Sequence, residues 1–432
     1  MSAAPDLPGR SEFRDSVRNI TGHVLDGMLW DAGLAWTSTE IILPLLIARL
    51  GGSPIEIGAA PALLAFGWVL PQIFVAPFIE SRPYKKPIVL VVGVLQRLPW
   101  LAVAALLFWE YDLLREAIIP LVLVCFFLSQ LLGGLAGAAW VDFVASSISV
   151  RWRGRHFGLR QVLGGAAGVG IGFLVKKILD VYSFPNNFAL LFLFAFLCWA
   201  AGLACLTVVR EIGGGSSQRH GSLKNYFGRH LPRILSTDTN FRRYPVIKSL
   251  MITATQLPMA FYIVCAVERF SLPSSAAGTF ITVMMCGSLI FPFCVGWLAD
   301  RYGHRVNLRI NCLVILSCNL LALLARSPFL YALVFLLLPL RRGIDITSYT
   351  GISMEFSAPK DRPTYVAISN SFAAPFILFG LLGGWIRGQF GYTPLFLSSS
   401  IIAVAALFLL TFLMKDPRQI VSPRTGYHST QD

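Results

Sequence analysis

The chain has 432 residues, 55% of them hydrophobic and only 13% charged, with a mean hydropathy of +0.66. Soluble domains carry roughly 25% charged residues, and a soluble chain of this length divides into domains with polar surfaces, so that class is excluded. The net charge of +14 does not point to nucleic acid, because the basic residues lie between apolar runs and not on one polar face.

In chain order, residues 1–26 form a polar N-terminal segment without the apolar core of a cleavable signal. Apolar runs of about 20 residues then follow one another, each long enough to cross a hydrocarbon layer about 30 Å thick. They predict spans near 27–49, 55–79, 87–109, 117–147, 157–179, 187–209, 245–268, 276–299, 306–325, 328–350, 364–387 and 393–414. Backbone polar groups in lipid need internal partners, so these runs must be helices. The alternation of a membrane barrel, in strands of about ten residues, is absent from the sequence. The expected fold is an all-α membrane protein with twelve transmembrane helices.

Residues 211–244 are the longest polar stretch and divide six spans from six. This gives a first bundle at 27–210, a second at 245–414 and a tail at 415–432. Gly213, Gly214, Gly215, Ser216 and Ser217 make the start of the linker flexible. From Leu223 to Phe241, aromatic and aliphatic residues mix with Lys and Arg, which suits either a helix on an anionic leaflet or a plain basic linker. The halves repeat. Adding 220 maps Arg49 onto Arg269, Gly58 onto Gly278, Gly67 onto Gly287, Glu80 onto Asp300 and Lys85 onto Arg305; a later offset of about 209 aligns Arg153 with Arg362. Two pseudo-symmetric six-helix bundles in parallel repeat are an architecture of secondary transporters, with the site near mid-membrane. With both termini on one side, 26 of the 36 Lys and Arg fall on that side, seven on the other and three inside spans. The positive-inside rule then places both termini in the cytoplasm.

After the eighth span comes Gly296-Trp297-Leu298-Ala299-Asp300-Arg301-Tyr302-Gly303-His304-Arg305. This stretch resembles the signature G-x-L-a-D-r-x-G-r-[RK] of the major facilitator superfamily. A degenerate copy, Ala76-Pro77-Phe78-Ile79-Glu80-Ser81-Arg82-Pro83-Tyr84-Lys85-Lys86, stands at the matching place in the first half, with Ala76 and Pro83 replacing the glycines. The resemblance implies a latch on the cytoplasmic gate, made by Glu80, Arg82, Lys85 and Lys86 in one loop and by Asp300, Arg301, Gly303 and Arg305 in the other. Such a latch is worth a few kcal/mol at most, or alternation would stall. The plainer alternative is a tight turn at Gly303 with a positive-inside signal. The loop Arg151-Trp152-Arg153-Gly154-Arg155-His156-Phe157-Gly158 also resembles the family's R-G-rich loop. The resemblance further implies that spans one, four, seven and ten line a central cavity, and that a small solute crosses by alternating access. A bacterial inner membrane, or one derived from it, is the expected location.

Ionisable residues inside spans cost several kcal/mol unless paired or hydrated, which makes each a candidate for substrate or proton coupling. They are Asp31 and Glu40 in span one, Arg97 in span three, Asp142 in span four, and Arg341, Arg342 and Asp345 in span ten. On one continuous helix Asp31 and Glu40 point about 180° apart. Asp345 lies four residues after Arg341 and three after Arg342, so it can neutralise one of them; the other guanidinium is left for an anionic substrate group or a carboxylate across the cavity. Arg97 is expected to pair with an acid such as Asp142. A buried carboxylate suits proton coupling, with Asp31 the first candidate and Asp142 the second. Many proton-coupled facilitators have an Arg in span four where this chain has Gln130, which leaves a uniporter open.

Gly164, Gly165, Gly168, Gly170 and Gly172 in span five resemble the glycine-rich motif of antiporters and lean toward efflux; close helix packing explains them equally well. Trp30, Trp36, Trp68, Trp140 and Tyr349 are read either as contacts for an apolar or cationic ligand or as packing. All eight cysteines fall in apolar runs without pairing spacing and read as small buried hydrophobes. No GxxxxGK[ST] loop, metal cluster or cofactor motif occurs, so neither an ATP-driven pump nor an enzyme is expected, and no cofactor is implied. The expected partners are a small-molecule or ion substrate, the lipid bilayer and protons, for a monomer. Two alternatives stand beside this reading. One is an iron or other metal-ion transporter, similar to magnetosome-membrane facilitators, which buried acids suit. The other is a non-transporting assembly factor or sensor on the same scaffold, which the degenerate first-half motif suits.

Overall fold

The computed structural model describes residues 10–72, 82–111, 113–211, 239–357 and 362–417. The described residues form helices and no strand. In order these are α1 (Arg10–Thr37), α2 (Ile42–Arg49), α3 (Pro54–Val69), α4 (Lys86–Trp109), α5 (Ile118–Ser147), α6 (Val150–Val181) and α7 (Asn186–Thr207). After the linker come α8 (Thr239–Met259), α9 (Phe261–Arg269), α10 (Ala276–Tyr302), α11 (His304–Leu324), α12 (Pro328–Glu355), α13 (Arg362–Ala373), α14 (Phe379–Phe390) and α15 (Tyr392–Phe408). Among the described residues, ten helical stretches are long and apolar enough to cross a membrane. The shorter apolar α3, and α12 with its charged Arg341, Arg342 and Asp345, are consistent with the twelve spans expected.

The first span starts earlier than the apolar run suggests. Its helix begins at Arg10, and the membrane-length stretch begins at Ser16, not near residue 27. Polar residues sit in this extra length because the fold satisfies them. Asn19 donates to the carbonyls of Ser147 (3.1 Å) and Arg210 (2.8 Å) and accepts from the Arg210 N–H (2.9 Å). A hydropathy window registers the polar side chain but not its partners.

The span also breaks. The N–H groups of Ile41, Ile42 and Leu43 all converge on the Ser38 carbonyl, at 3.1, 2.8 and 3.3 Å, so α1 stops at Thr37 and α2 starts afresh. The 180° separation of Asp31 and Glu40, which assumed one continuous helix, therefore does not hold. Span seven breaks at the equivalent place: α9 starts at Phe261, within one residue of Ile42 shifted by 220, and ends at Arg269, the repeat of Arg49.

The chain forms two compact units. One is Met1–Leu46 with Leu63–His220 and Ser274–Met285; the other is Ile47–Ala62 with Gly221–Pro273 and Cys286–Asp432. Each unit thus takes in a short piece of the opposite sequence half. Glycines mark where these pieces dock. In the second unit a Cβ on Gly58 would lie 2.1 Å from the Gly380 carbonyl oxygen; in the first, a Cβ on Gly278 would lie 2.3 Å from the Lys176 nitrogen and 2.5 Å from the Gly172 carbonyl oxygen. Gly58 and Gly278 are repeat partners, so the 220-residue period records a backbone crossing used twice. The 209-residue offset has the same origin. Gly67 packs on the Phe127 carbonyl and Gly287 on the Leu336 carbonyl, at 3.0 and 2.6 Å from the added Cβ.

Polar clamps repeat as well. Asn240 donates to the Lys415 carbonyl and accepts from its N–H, both at 3.0 Å, as Asn19 does with Arg210. Lys86 donates to the carbonyls of Thr207 (2.6 Å) and Val209 (2.7 Å), at the end of α7. Arg305 donates to those of Leu410 (3.1 Å) and Thr411 (2.9 Å), at the end of the last span. Helix C-termini expose unpaired carbonyls and partial negative charge, which these cations satisfy. Removing either, as Lys86→Met or Arg305→Met, is expected to cost about 1 kcal/mol and lower the thermal midpoint in detergent; an unchanged midpoint would count against capping.

The eight cysteines are all free thiols. Cys265, Cys312 and Cys318 are buried as expected, whereas Cys286 and Cys294 are exposed. A membrane helix is apolar on its outer face too, so an apolar run does not reveal which side faces inward.

Candidate functional site

Two clusters of charged side chains are built inside the units. The first lies in the second unit, between α8, α11, α12 and α13. Arg341 and Asp345 form an ion pair one helical turn apart. Asn311 on α11 donates to Asp345 Oδ1 (2.9 Å) and to the Tyr349 hydroxyl (3.3 Å). Lys248 on α8 donates to Asn370 Oδ1 (2.6 Å), reaches Ser369 Oγ (3.4 Å) and lies 5.3 Å from the centre of the Tyr349 ring. Its charge also acts on Asp345. Lys248 is 4% exposed and Arg341 8%. The cluster therefore buries two cations against one carboxylate. Asp345 takes Arg341 as its partner, and Arg342 is exposed. The surplus cation within the cluster is thus Lys248, near the start of predicted span seven.

The second cluster lines a cavity of about 270 Å³ in the first unit. Its charged residues are Asp26 on α1, Arg97 on α4 and Arg160 on α6; its aromatic walls are Trp30, Trp68 and Trp140. Arg97 is held by the carbonyls of Trp199 (2.7 Å, from Nε) and Gly93 (2.6 Å, from Nη1), with its guanidinium 6.0 Å from the Trp30 ring centre. The Arg160 guanidinium lies 5.0 Å from the ring centre of Trp140. Asp26 is buried beside them, subject to the charges of Arg160, Arg97 and Asp31, but no ion pair joins it to either guanidinium. Asp142 is exposed, so the acid near Arg97 is Asp26 and not Asp142.

Asp31 is half-buried against α6: a Cβ on Gly164 would lie 2.5 Å from its Oδ2. Glu40 is half-buried in the turn between α1 and α2. The glycines of α6 serve close approach at three points, since Gly164 meets Asp31, Gly168 meets Met285 and Gly172 meets Thr282, while Gly170 faces open space. Trp36 is a packing residue, buried and stacked on Phe194 with ring centres 5.1 Å apart.

Of the gate residues, Glu80 lies outside the described residues. Arg82 is exposed and Lys85 is buried. The backbone N–H groups of Lys85 and Lys86 are held by the Glu211 carboxylate at 2.9 to 3.0 Å. Asp300 and Arg301 are exposed, and Arg301 lies over the rings of Trp297 (5.7 Å) and Tyr302 (5.6 Å). Gly303 has φ +84°, the left-handed conformation that its turn requires and that favours glycine. Within each unit the basic residues at the end of the motif thus cap a neighbouring helix.

Asp26 falls in the polar segment before the first predicted span, and Arg160 and Lys248 within four residues of the starts of predicted spans five and seven, so none of the three was among the candidate charges. The repeat offered a signal for one of them. Lys248 minus 220 is position 28, inside the first predicted span.

The family description of the Major Facilitator Superfamily matches residues 28–371 and 246–428. The chain belongs to this superfamily. It is therefore a multi-pass integral membrane protein and a secondary transporter of small solutes. The facilitator superposes on the D-xylose-proton symporter with a TM-score of 0.70 and 12% identity, covering 93% of this chain and 98% of that one. Against the nucleoside transporter NupG the TM-score is 0.67 at 12% identity, covering 93% and 99%. These likenesses establish the fold alone. A gallate transporter of Pseudomonas putida is 24% identical over 167 residues, which are 38% of this facilitator and 37% of that protein's length.

Proposed function

We propose that this facilitator carries a small organic anion. The carrying observation is the surplus of buried positive charge in the second unit, where Lys248 and Arg341 stand against the single carboxylate of Asp345. An uncompensated cation away from water is costly, and a carboxylate cargo relieves that cost on entry. The partial similarity to a gallate transporter supports the same class. The bias of Lys and Arg toward one set of loops supports cytoplasmic termini in a bacterial inner membrane.

Binding is tested by thermal shift of the purified protein with monocarboxylates, amines and sugars. Carboxylates are expected to raise the midpoint; an equal response to amines overturns the anion reading. Proton coupling runs through the α1 carboxylates in this reading, since Asp31 is half-buried and near Asp26. Asp31→Asn is expected to remove the pH dependence of uptake in proteoliposomes while leaving exchange at equal pH intact. Retained pH dependence takes Asp31 out of the mechanism.

A further inference from the structure

We propose that the cavity of the first unit is a binding site for a small aromatic carboxylate. This rests on the organic-anion reading above and adds to it an aromatic ring and a second location. Three features of the cavity carry it together.

The first is size. Drug-sized ligands occupy pockets of about 300–1,000 Å³. A cavity of about 270 Å³ falls just below that range and has room for a single-ring molecule.

The second is the wall. Trp30, Trp68 and Trp140 present indole surfaces from three different helices. Trp68 lies flat on a bed of glycines: a Cβ on Gly133 would be 3.0 Å from its ring, and one on Gly137 would be 2.9 Å. Glycine at these two positions brings α3 and α5 close enough to set the ring as a wall. Flat apolar walls select a flat ring, through offset or edge-to-face contact.

The third is charge. Arg97 and Arg160 approach the cavity from α4 and α6, and Asp26 from α1. Each guanidinium lies by an indole, at 6.0 and 5.0 Å from the ring centres of Trp30 and Trp140, and Asp31 stands near Asp26. Arg97 is committed to backbone carbonyls, which fix its position. Arg160 is half-exposed and held by stacking on Trp140. It is the guanidinium able to turn toward an incoming carboxylate, whose planar geometry it matches in bidentate fashion. Gln96, buried on the cavity wall, adds a neutral hydrogen-bonding group. A ligand with one carboxylate beside one ring satisfies the charge and the walls together. A cationic amine cannot take up the bidentate contact that Arg160 offers.

The test uses the full-length protein in lipid nanodiscs and direct binding of radiolabelled benzoate, competed by cyclohexanecarboxylate and by benzylamine. Benzoate is expected to bind at least tenfold tighter than cyclohexanecarboxylate competes, with no competition from benzylamine. Arg160→Gln is expected to weaken benzoate binding at least tenfold, and Arg160→Lys to restore part of it. Trp68→Leu weakens it where Trp68→Phe does not, which keeps the wall testable if one variant fails to fold. Benzoate binding unchanged in both Arg160→Gln and Trp68→Leu overturns the site. Aliphatic carboxylates transported without benzoate binding overturn this inference and leave the organic-anion function standing. Absence of both carboxylate binding and carboxylate transport overturns both.

Discussion

Lys248→Gln is expected to raise the KM for carboxylate uptake roughly ten- to a hundredfold. Hydrogen bonds to charged groups contribute about 1.5–3 kcal/mol, and each 1.4 kcal/mol is about a factor of ten. Arg341 is already matched by Asp345, so Lys248 supplies the cluster's surplus charge. Glutamine keeps a donor for Asn370 and Ser369, which hold the lysine ammonium at 2.6 and 3.4 Å, so the fold persists while the charge is lost. Uptake kinetics in proteoliposomes read the effect, and an unchanged KM removes Lys248 from the anion site. The ion pair beside it behaves differently. Arg341→Ala strands a buried carboxylate at a cost of about 3–5 kcal/mol, whereas Arg341→Ala with Asp345→Ala removes both charges and is expected to be milder. Stability of the two variants in detergent measures the coupling, and additive losses would argue against it.

Gly58→Val and Gly278→Val are each expected to abolish accumulation of folded protein. The clashing atoms are backbone: Gly380 oxygen at 2.1 Å in one case, Lys176 nitrogen at 2.3 Å and Gly172 oxygen at 2.5 Å in the other. Overpacking against movable side chains costs typically about 1–3 kcal/mol. Backbone in a neighbouring helix gives way less easily, so these sites should exceed that range. Gly170→Ala supplies the opposite sign, because a Cβ there meets nothing within 4 Å and alanine favours a helix by up to about 1 kcal/mol. Membrane yield and a monodisperse elution profile distinguish the three variants. Wild-type yield of Gly58→Val would refute the crossing.

Class and repeat are both legible in the amino-acid sequence. Runs of apolar residues long enough to cross a bilayer leave helices as the way to satisfy the backbone, so the all-helical membrane fold follows from composition and run length. The 220-residue offset was legible because it rests on glycines at backbone crossings and cations at helix C-termini, where few residue types serve. The sites were less legible. Asp26 reads as part of a polar segment, and Arg160 and Lys248 as charges at span edges, because hydropathy counts a buried charge as an interruption whatever neutralises it. Only the packing of α1, α4 and α6 brings Asp26, Arg97 and Arg160 to one cavity, across 71 and 63 residues of chain (97 − 26 and 160 − 97). The break at Ser38 separates Asp31 from Glu40 in a way no single helical wheel represents. Chain-local patterns record what each helix needs from the membrane. Which buried charges face one another depends on helix rotation and crossing, and contacts far apart in sequence decide those.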